Sequence, residues 1–486
     1  MTTAANPALD TTAPRHDPGS GTRIVAVLAA CGILMALQQT MMLPLLPALP
    51  ALLNTSAATA SWLVTATLVS GAAITPLIGR LADMYGKRHL ILATLLVVVA
   101  ASALGAVSDS LPALVVSRAV QGCGLSLIPV AMATMRDVLP AHRVPGAVAT
   151  MSASMAIGAA TGLPLSGVVV TYLDWHWIFW VMVISGGILA VAVAAVVPAS
   201  RPARGTRAGF DHLGALLLAV ALTALLLPLS KGAQWGWTSS ATLACAGAGL
   251  LVLAIWVPQQ LRRATPLVNL RVAARPPVIL VNGCALLVGF ALFSNILITT
   301  QMLQLPAATG FGAGMSVLQA GWWLMPIALV GILVAPLAGR AIARFGAPLV
   351  LLAAATELAM AFALRVPFSG EPWQLLTGAV VVGAGLSLTI AAIPTSIMAM
   401  VPITESASAT TIGALLQSVG TSSASATMAA AATTWTVTIG AGTYPALTAF
   451  TAMFWISAAT TASAAVLALT LLARERRARA ATATAR

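Results

Sequence analysis

Charge is scarce in this sequence. Of its 486 residues 7% are Asp, Glu, Lys or Arg, too few to coat a water-soluble globule of this size. Five histidines and eleven acids never gather at ligand or catalytic spacing, so neither a metal centre, a cofactor nor an enzyme active site is expected. Cys31, Cys123, Cys245 and Cys284 all lie in apolar runs without a CxxC pair, which excludes a disulfide framework and leaves them as small core residues. Long polar connections are also scarce: few exceed about fifteen residues, and no soluble domain fits between the apolar runs.

What is present is oil. Hydrophobic residues make up 59% of the chain and the mean hydropathy is +0.97, so the apolar surface belongs in a bilayer. With about 20 residues per crossing, the sequence predicts fourteen helices, near 24–46, 61–78, 89–107, 111–134, 146–171, 176–197, 212–228, 241–259, 277–300, 318–338, 347–364, 374–400, 407–432 and 447–472. The first is longer than a signal-peptide core and lacks a small-residue cleavage site, so it reads as a permanent helix. Residues 1–22, rich in Thr, Ala and Pro, read as a disordered tail, and 473–486 as a basic one.

Lys and Arg check this topology independently. With the amino terminus inside, 21 of the 24 fall in inner segments, among them Arg80, Lys87, Arg88, Arg136, Arg340 and Arg344. Lys231 and Arg365 fall in outer loops, and Arg118 falls within a span. Both termini are therefore expected in the cytoplasm. Trp62, Trp175, Trp177, Trp235, Trp237, Trp322, Trp373 and Trp435 then sit near outer ends, as interfacial aromatics do. The net charge of +13 is spread over short loops and not gathered on one face, which argues against a nucleic-acid partner.

The chain also repeats itself. Pro76, Leu77, Gly79, Arg80 and Gly86 recur 260 residues on as Pro336, Leu337, Gly339, Arg340 and Gly346, and Trp62 and Gly71 recur as Trp322 and Gly331. One residue out of that register, Gly122-Cys-Gly-Leu-Ser-Leu127 returns as Gly383-Ala-Gly-Leu-Ser-Leu388. The expected organisation is an amino-terminal six-helix half over 23–200, basic linkers with an inserted helix pair over 201–275 (the pair at about 212–259), and a carboxy-terminal six-helix half over 276–472.

Gly79-Arg-Leu-Ala-Asp83-Met-Tyr-Gly86-Lys-Arg88 resembles the signature between the second and third helices of the major facilitator superfamily. Arg118-Ala-Val-Gln121-Gly122 resembles that superfamily's fourth-helix motif, often tied to proton transfer. Gly158-Ala-Ala-Thr-Gly162-Leu-Pro164-Leu-Ser-Gly167 is similar to the fifth-helix motif of its exporters, with the proline one place late and Ser166 where Gly is usual. Asp174-Trp-His-Trp-Ile-Phe179 looks like the aromatic run opening the sixth helix in the fourteen-span branch of drug and proton antiporters. The resemblance spans residues 24–472. It implies an all-α integral membrane fold of two six-helix halves related by a pseudo-two-fold, rocking about a central site, with the extra pair making fourteen spans.

By that resemblance, Gly79, Arg80, Asp83, Gly86, Lys87 and Arg88 form a cytoplasmic gate, with Asp83 facing the amino-terminal end of the thirteenth span near Thr404 to Ala407. The second copy has Ala343 in place of the acid and serves as packing. Arg118 and Gln121 share a helix face and, with Glu357, are the proton-coupling candidates. Glu357 is the acid placed deepest in a span; a desolvated carboxyl there suits reversible protonation, although its helix is a peripheral one in this fold. In the first span many relatives have an acid where this chain has Gln38, which turns the expectation from cations toward neutral or weakly charged molecules. Gln38, Gln39, Thr40, Asn295 and Gln301 are candidate pocket residues, or else interhelical hydrogen-bonding groups.

The functional expectation is a monomeric, multi-pass transporter of a bacterial cell membrane that exports hydrophobic small molecules in exchange for protons. Its other contacts are with membrane lipids. A dedicated exporter of one endogenous metabolite, or a non-transporting scaffold or sensor with a transporter fold, are the alternatives.

Overall fold

The computed structural model describes residues 18–42, 49, 53–55, 57–60, 62–199, 210–263, 266–402, 406–439 and 442–484. Most of the predicted amino-terminal tail, the last residues predicted for the first span, and most of the basic link 198–211 lie outside them. The long helices are α1 (Pro18–Thr40), α2 (Trp62–Tyr85), α3 (Lys87–Ala106), α4 (Leu111–Val138), α5 (Val144–Tyr172) and α6 (Trp177–Val196). Then come α7 (His212–Trp235), α8 (Ser240–Arg262), α9 (Pro276–Gln304), α10 (Val317–Phe345), α11 (Ala347–Leu364), α12 (Pro372–Met400), α13 (Ser406–Thr434) and α14 (Leu447–Thr484).

Among the described residues thirteen of these are long and apolar enough to cross a bilayer. The remaining one, α13, has 29 residues and packs on α2 and α9; its run of Ala, Ser, Thr and Gly is less greasy. Only helices satisfy every backbone group in lipid without outside partners, which is why the spans take this one form. Leu96, Ile188, Val191, Leu216, Leu250, Leu333 and Val466 stay exposed and make the lipid-facing belt.

Four outcomes differ from the sequence reading. Lys231 belongs to α7, which runs seven residues past its predicted end, and is buried over the Trp62 ring at 4.9 Å. Arg365 does stand in the turn after α11, but its side chain is buried, so neither residue is a solvated cation. A two-stranded antiparallel hairpin, β1 (Thr436–Ile439) and β2 (Gly442–Pro445), joins α13 to α14. Within α4, Gly122–Ser126 tightens to a 3-10 turn between two α-helical stretches.

The repeat is visible in the packing. Gly86 and Gly346 turn the chain between α2 and α3 and between α10 and α11 with φ of +99° and +85°, a region closed to most side chains. α1 crosses α5, and α9 crosses α13, at points where glycine lets backbones touch. A Cβ on Gly158 would meet the Ile33 carbonyl, and one on Gly420 would meet the Leu286 carbonyl. Each half has its own buried core. The halves meet along two seams, α5 against α10 and α12, and α2 against α13. The inserted pair lies outside both halves, with α7 running along α2 and α13 and α8 packed against α7.

At the end opposite the basic loops, the His176 ring bonds to Asp174 and lies 3.2 Å from Asp109, tying two loops of the first half together. The hydrogen bond from the His176 backbone N–H holds the Asp174 carboxyl below its usual range.

Gly420→Leu is expected to wedge α9 and α13 apart at a cost of about 1–3 kcal/mol. The apparent melting temperature of the purified protein should fall, whereas Gly247→Leu, whose Cβ meets nothing within 4 Å on α8, should leave it unchanged.

Candidate functional site

Between the halves lies a cavity of about 230 Å³. α1 contributes Gln39; α2 contributes Leu68, Val69, Ala72 and Thr75; α4 contributes Leu125, Ile128, Pro129 and Met132; α5 contributes Met155. From the other side come Leu292 of α9, Ile390, Ile393, Pro394 and Ile397 of α12, and Thr410, Gln417, Ser418, Thr421 and Ser422 of α13. No described lining residue carries a charge. Such a wall shelters an apolar body and offers a few amide and hydroxyl groups to orient it.

At the basic end the halves touch through several contacts. Lys87 Nζ lies 2.7 Å from Asp137 Oδ2 and 3.8 Å from Asp83 Oδ1, and donates to Ser406 Oγ at 3.0 Å, at the first turn of α13. Arg136 donates to the Val401 carbonyl at 3.0 Å. Gly79 sits so close to Thr411 that a Cβ would approach its side chain to 2.6 Å. Its repeat, Gly339, meets Gly146 of α5 in the same way across the other seam. Arg80 lines a small cleft with Val401 and Ile412, and Arg88 donates to the Ala194 carbonyl within its own half. The sequence reading put Asp83 itself opposite the start of the thirteenth span. Thr404 and Glu405 lie outside the described residues, and Lys87, one turn on from Asp83, reaches Ser406 at that helix end. Asp137, which completes this junction, was missed because it stands beside Arg136 in what reads as an ordinary polar loop.

Arg118 is buried without a carboxylate within ion-pair distance among the described residues. Its Nε donates to the Leu63 carbonyl at 3.0 Å, and its Nη1 donates to Gln121 Oε1 at 2.8 Å and to the Gln38 carbonyl at 3.4 Å. Gln121 in turn donates to Ser102 Oγ at 2.9 Å, and Gln38 Nε2 donates to the Gln121 carbonyl at 3.1 Å. Gln38 is thus part of the Arg118 cluster and does not line the cavity.

The second half holds a matching cluster that the sequence did not reveal. Arg365 donates to Asn295 Oδ1 at 2.7 Å and to Thr299 Oγ1 at 2.8 Å, and its guanidinium lies 4.7 Å from the Phe454 ring centroid. Asn295 Nδ2 donates to the carbonyl of Ala379, the residue that occupies Arg118's place in the repeat. Asn295 is therefore committed to Arg365.

Of the five pocket candidates only Gln39 lines the cavity. Thr40 bonds back to the Ala36 carbonyl and packs against Gly162, while Gln301 Oε1 is enclosed away from the cavity without a hydrogen-bond partner. In the fifth-helix motif Gly158 and Gly162 seat α5 on α1, Pro164 lies inside the helix, and Gly167 follows Ser166, which donates to the Met41 carbonyl at 2.7 Å.

Glu357 stands midway along α11, away from the cavity. Both carboxyl oxygens are enclosed and lack a hydrogen-bond partner. They fit because Gly385 of α12 has no side chain; a Cβ there would occupy the position of Oε2.

The Major Facilitator Superfamily model matches residues 28–425. The chain belongs to the major facilitator superfamily. Solved members share its fold: the human organic anion transporter MFSD10 (TETRAN) superposes with a TM-score of 0.64 at 17% identity, covering 92% of this chain and 99% of that one. The proton:xylose symporter XylE does so with a TM-score of 0.64 at 15% identity, covering 93% and 96%.

Among curated relatives, an uncharacterized MFS-type transporter of Mycobacterium tuberculosis is 29% identical over 79% of this chain and 57% of its own length. The tetracenomycin C resistance and export protein of Streptomyces glaucescens is 29% identical over 68% of this chain and 61% of its own. The multidrug resistance protein Stp of M. tuberculosis is 27% identical over 73% and 65%. The chain thus spans less than two thirds of the length of these relatives. It is a multi-pass membrane protein of the superfamily.

Lys87→Met removes the cation from between two carboxylates at the superfamily's signature loop. In a Cys245→Ser background, a cysteine at position 410 on the cavity wall should then react with an impermeant maleimide from the basic side about tenfold faster, equivalent to ~1.4 kcal/mol of lost closure. An unchanged labelling rate would show that Lys87 does not hold that end shut.

Proposed function

We propose that the protein exports hydrophobic, neutral or weakly charged small molecules by alternating access in exchange for protons, as a member of the fourteen-span drug and proton antiporter branch. The observation that carries this reading is the inter-half cavity, apolar and without a charged residue in its described lining. A permanent cation entering it would shed water and find no carboxylate, at a cost of several kcal/mol. An uncharged aromatic or alicyclic body loses nothing comparable and gains from leaving water. The names of the tetracenomycin C exporter and of the multidrug resistance protein Stp point toward the same class of cargo.

In this reading the basic end faces the cytoplasm of a bacterial cell, both termini lie there, and the protein works as a monomer in the cell membrane. Gly79, Arg80, Asp83, Gly86, Lys87 and Arg88 serve the inner gate. Arg118 and Gln121 hold α1, α2 and α4 of the first half together while the halves rock. Glu357 is the proton-binding group, since its enclosed and unpartnered carboxyl suits taking up and releasing a proton. A second reading, export of a single endogenous metabolite, draws support from the relative named for both resistance to and export of one antibiotic.

Proteoliposomes with an imposed pH gradient test the proposal. The neutral dye Nile red should be transported and the permanent cation ethidium should not, and a protonophore should abolish transport. Glu357→Gln should retain dye binding while losing the response to the gradient. Transport of ethidium at the rate of Nile red would overturn the neutral-cargo reading. A folded protein that moves nothing across a broad panel would favour a scaffold.

A further inference from the structure

The two seams between the halves are equivalent in the repeat, but they are not sealed alike. Along one, α5 packs extensively against α10, and α12 adds to it. Along the other, α2 and α13 touch over less than half that extent, α4 adds to it about as α12 does on the first, and the inserted helix α7 lies along both α2 and α13. Leu226 of α7 is 3% exposed; it packs with Val69 and Ala72 of α2, and Leu415 and Val419 of α13 close round the same cluster. It is the one described residue of the inserted pair that lines the cavity.

α7 is pinned at both ends. Toward one end, Lys231 sits over Trp62 of α2. At the other, Asp211 accepts from the Gly214 N–H at 3.0 Å, from Gln259 at 3.1 Å and from Gln260 at 2.7 Å, with Arg263 at 3.4 Å. Trp256 of α8 donates to the Gly214 carbonyl at 2.8 Å. Burial pushes the Asp211 carboxyl up, but these donors together hold it below its usual value, so it stays an anion at neutral pH and keeps α8 clamped on α7.

We propose that α7 is the side wall of the substrate cavity toward the lipid, and that Leu226 is a substrate-contacting, specificity-determining residue for an uncharged apolar cargo. This rests on the reading of the cavity as the transport site and deepens it. The inserted pair then supplies part of the binding surface that the two halves leave open at their thinner seam. α8, which is largely exposed to lipid, holds α7 in place.

The test is binding and transport of Nile red by three variants. Leu226→Trp intrudes into the cavity, and should raise both the dissociation constant, read from dye fluorescence on purified protein, and the KM of export by on the order of tenfold, with kcat little changed. Leu226→Ala, which keeps the fold should the larger residue not be accepted, should weaken Nile red and improve binding of a bulkier neutral dye. Leu216→Trp, on the lipid face of the same helix at 61% exposure, should behave as wild type. The proposal is overturned if both Leu226 variants leave the constants unchanged, if they shift them no more than Leu216→Trp does, or if the wild type fails to bind Nile red. A wild type that binds Nile red but exports nothing would count against the export reading alone, and the dissociation constants would still decide the role of Leu226.

Discussion

A bilayer interior offers no hydrogen-bond partners, and the arrangement of the two buried arginine clusters follows from that. Their centres are Arg118 and Arg365. Each buries a guanidinium with no carboxylate within ion-pair distance among the described residues, and each is held by neutral oxygens. Carbonyl, amide and hydroxyl oxygens share each charge; Arg365 Nε is left without a hydrogen-bond partner, and the Phe454 ring lies over that guanidinium. Both clusters perform one structural task, joining the first helix of a half to its fourth. In the first half Gln38 of α1 meets the carbonyl of Gln121, and in the second Asn295 of α9 meets that of Ala379. The guanidinium comes from the fourth helix in one half and from the end of the third in the other. The joint is repeated although the residues are not.

Where no polar group intervenes, the helices are held by close approach. Apolar side chains gain little from one another in a lipid solvent, so contact area and small residues decide which helices pack. α13 is the extreme, with its Ala, Ser, Thr and Gly surface touching α2, α7 and α9 and lining the cavity as well. That composition is why it falls below the hydropathy of the other spans. The low value marks a helix surrounded by protein more than by lipid.

These facts also explain what could be read from the sequence. Span positions, the inserted pair and the repeat are local or periodic signals. They survive because a span must be about 20 residues long whatever it packs against. The Arg118–Gln121 contact was legible because the two stand three apart on one helix. For Gln38 and Asn295 the sequence left two readings open, pocket contact or interhelical hydrogen bond, and the structure shows the second. Sequence gives a residue's helix and depth but not which neighbour it turns to, and both turn to a buried arginine's cluster. The burial of Lys231 and Arg365 was not legible because a cation at the margin of an apolar run looks solvated until a partner across the bundle is seen. The hairpin after α13 has strands of four residues each, too brief to stand out beside long apolar helices.

The asymmetry between the halves bears on how the proposed proton and substrate sites communicate. Glu357 contributes nothing to the cavity wall, so the two would be bound at separate places. α12 connects them: Gly385 gives the Glu357 carboxyl its room, and Ile390, five residues later, faces the cavity. At ~1.5 Å per residue that is about 7.5 Å along one helix. The distance is short enough for a displacement of α12 at Gly385 to reach the wall as a rigid-body shift. If Glu357 gained a negative charge, an apolar niche without partners would no longer suit it. The least costly relief is movement of α12 relative to α11, which also changes how α12 rests on α5 across the better sealed seam. In the first half no acid occupies the corresponding place. On this reading the second half responds to the proton while the first, braced by Arg118 and its neighbours, is the frame it moves against.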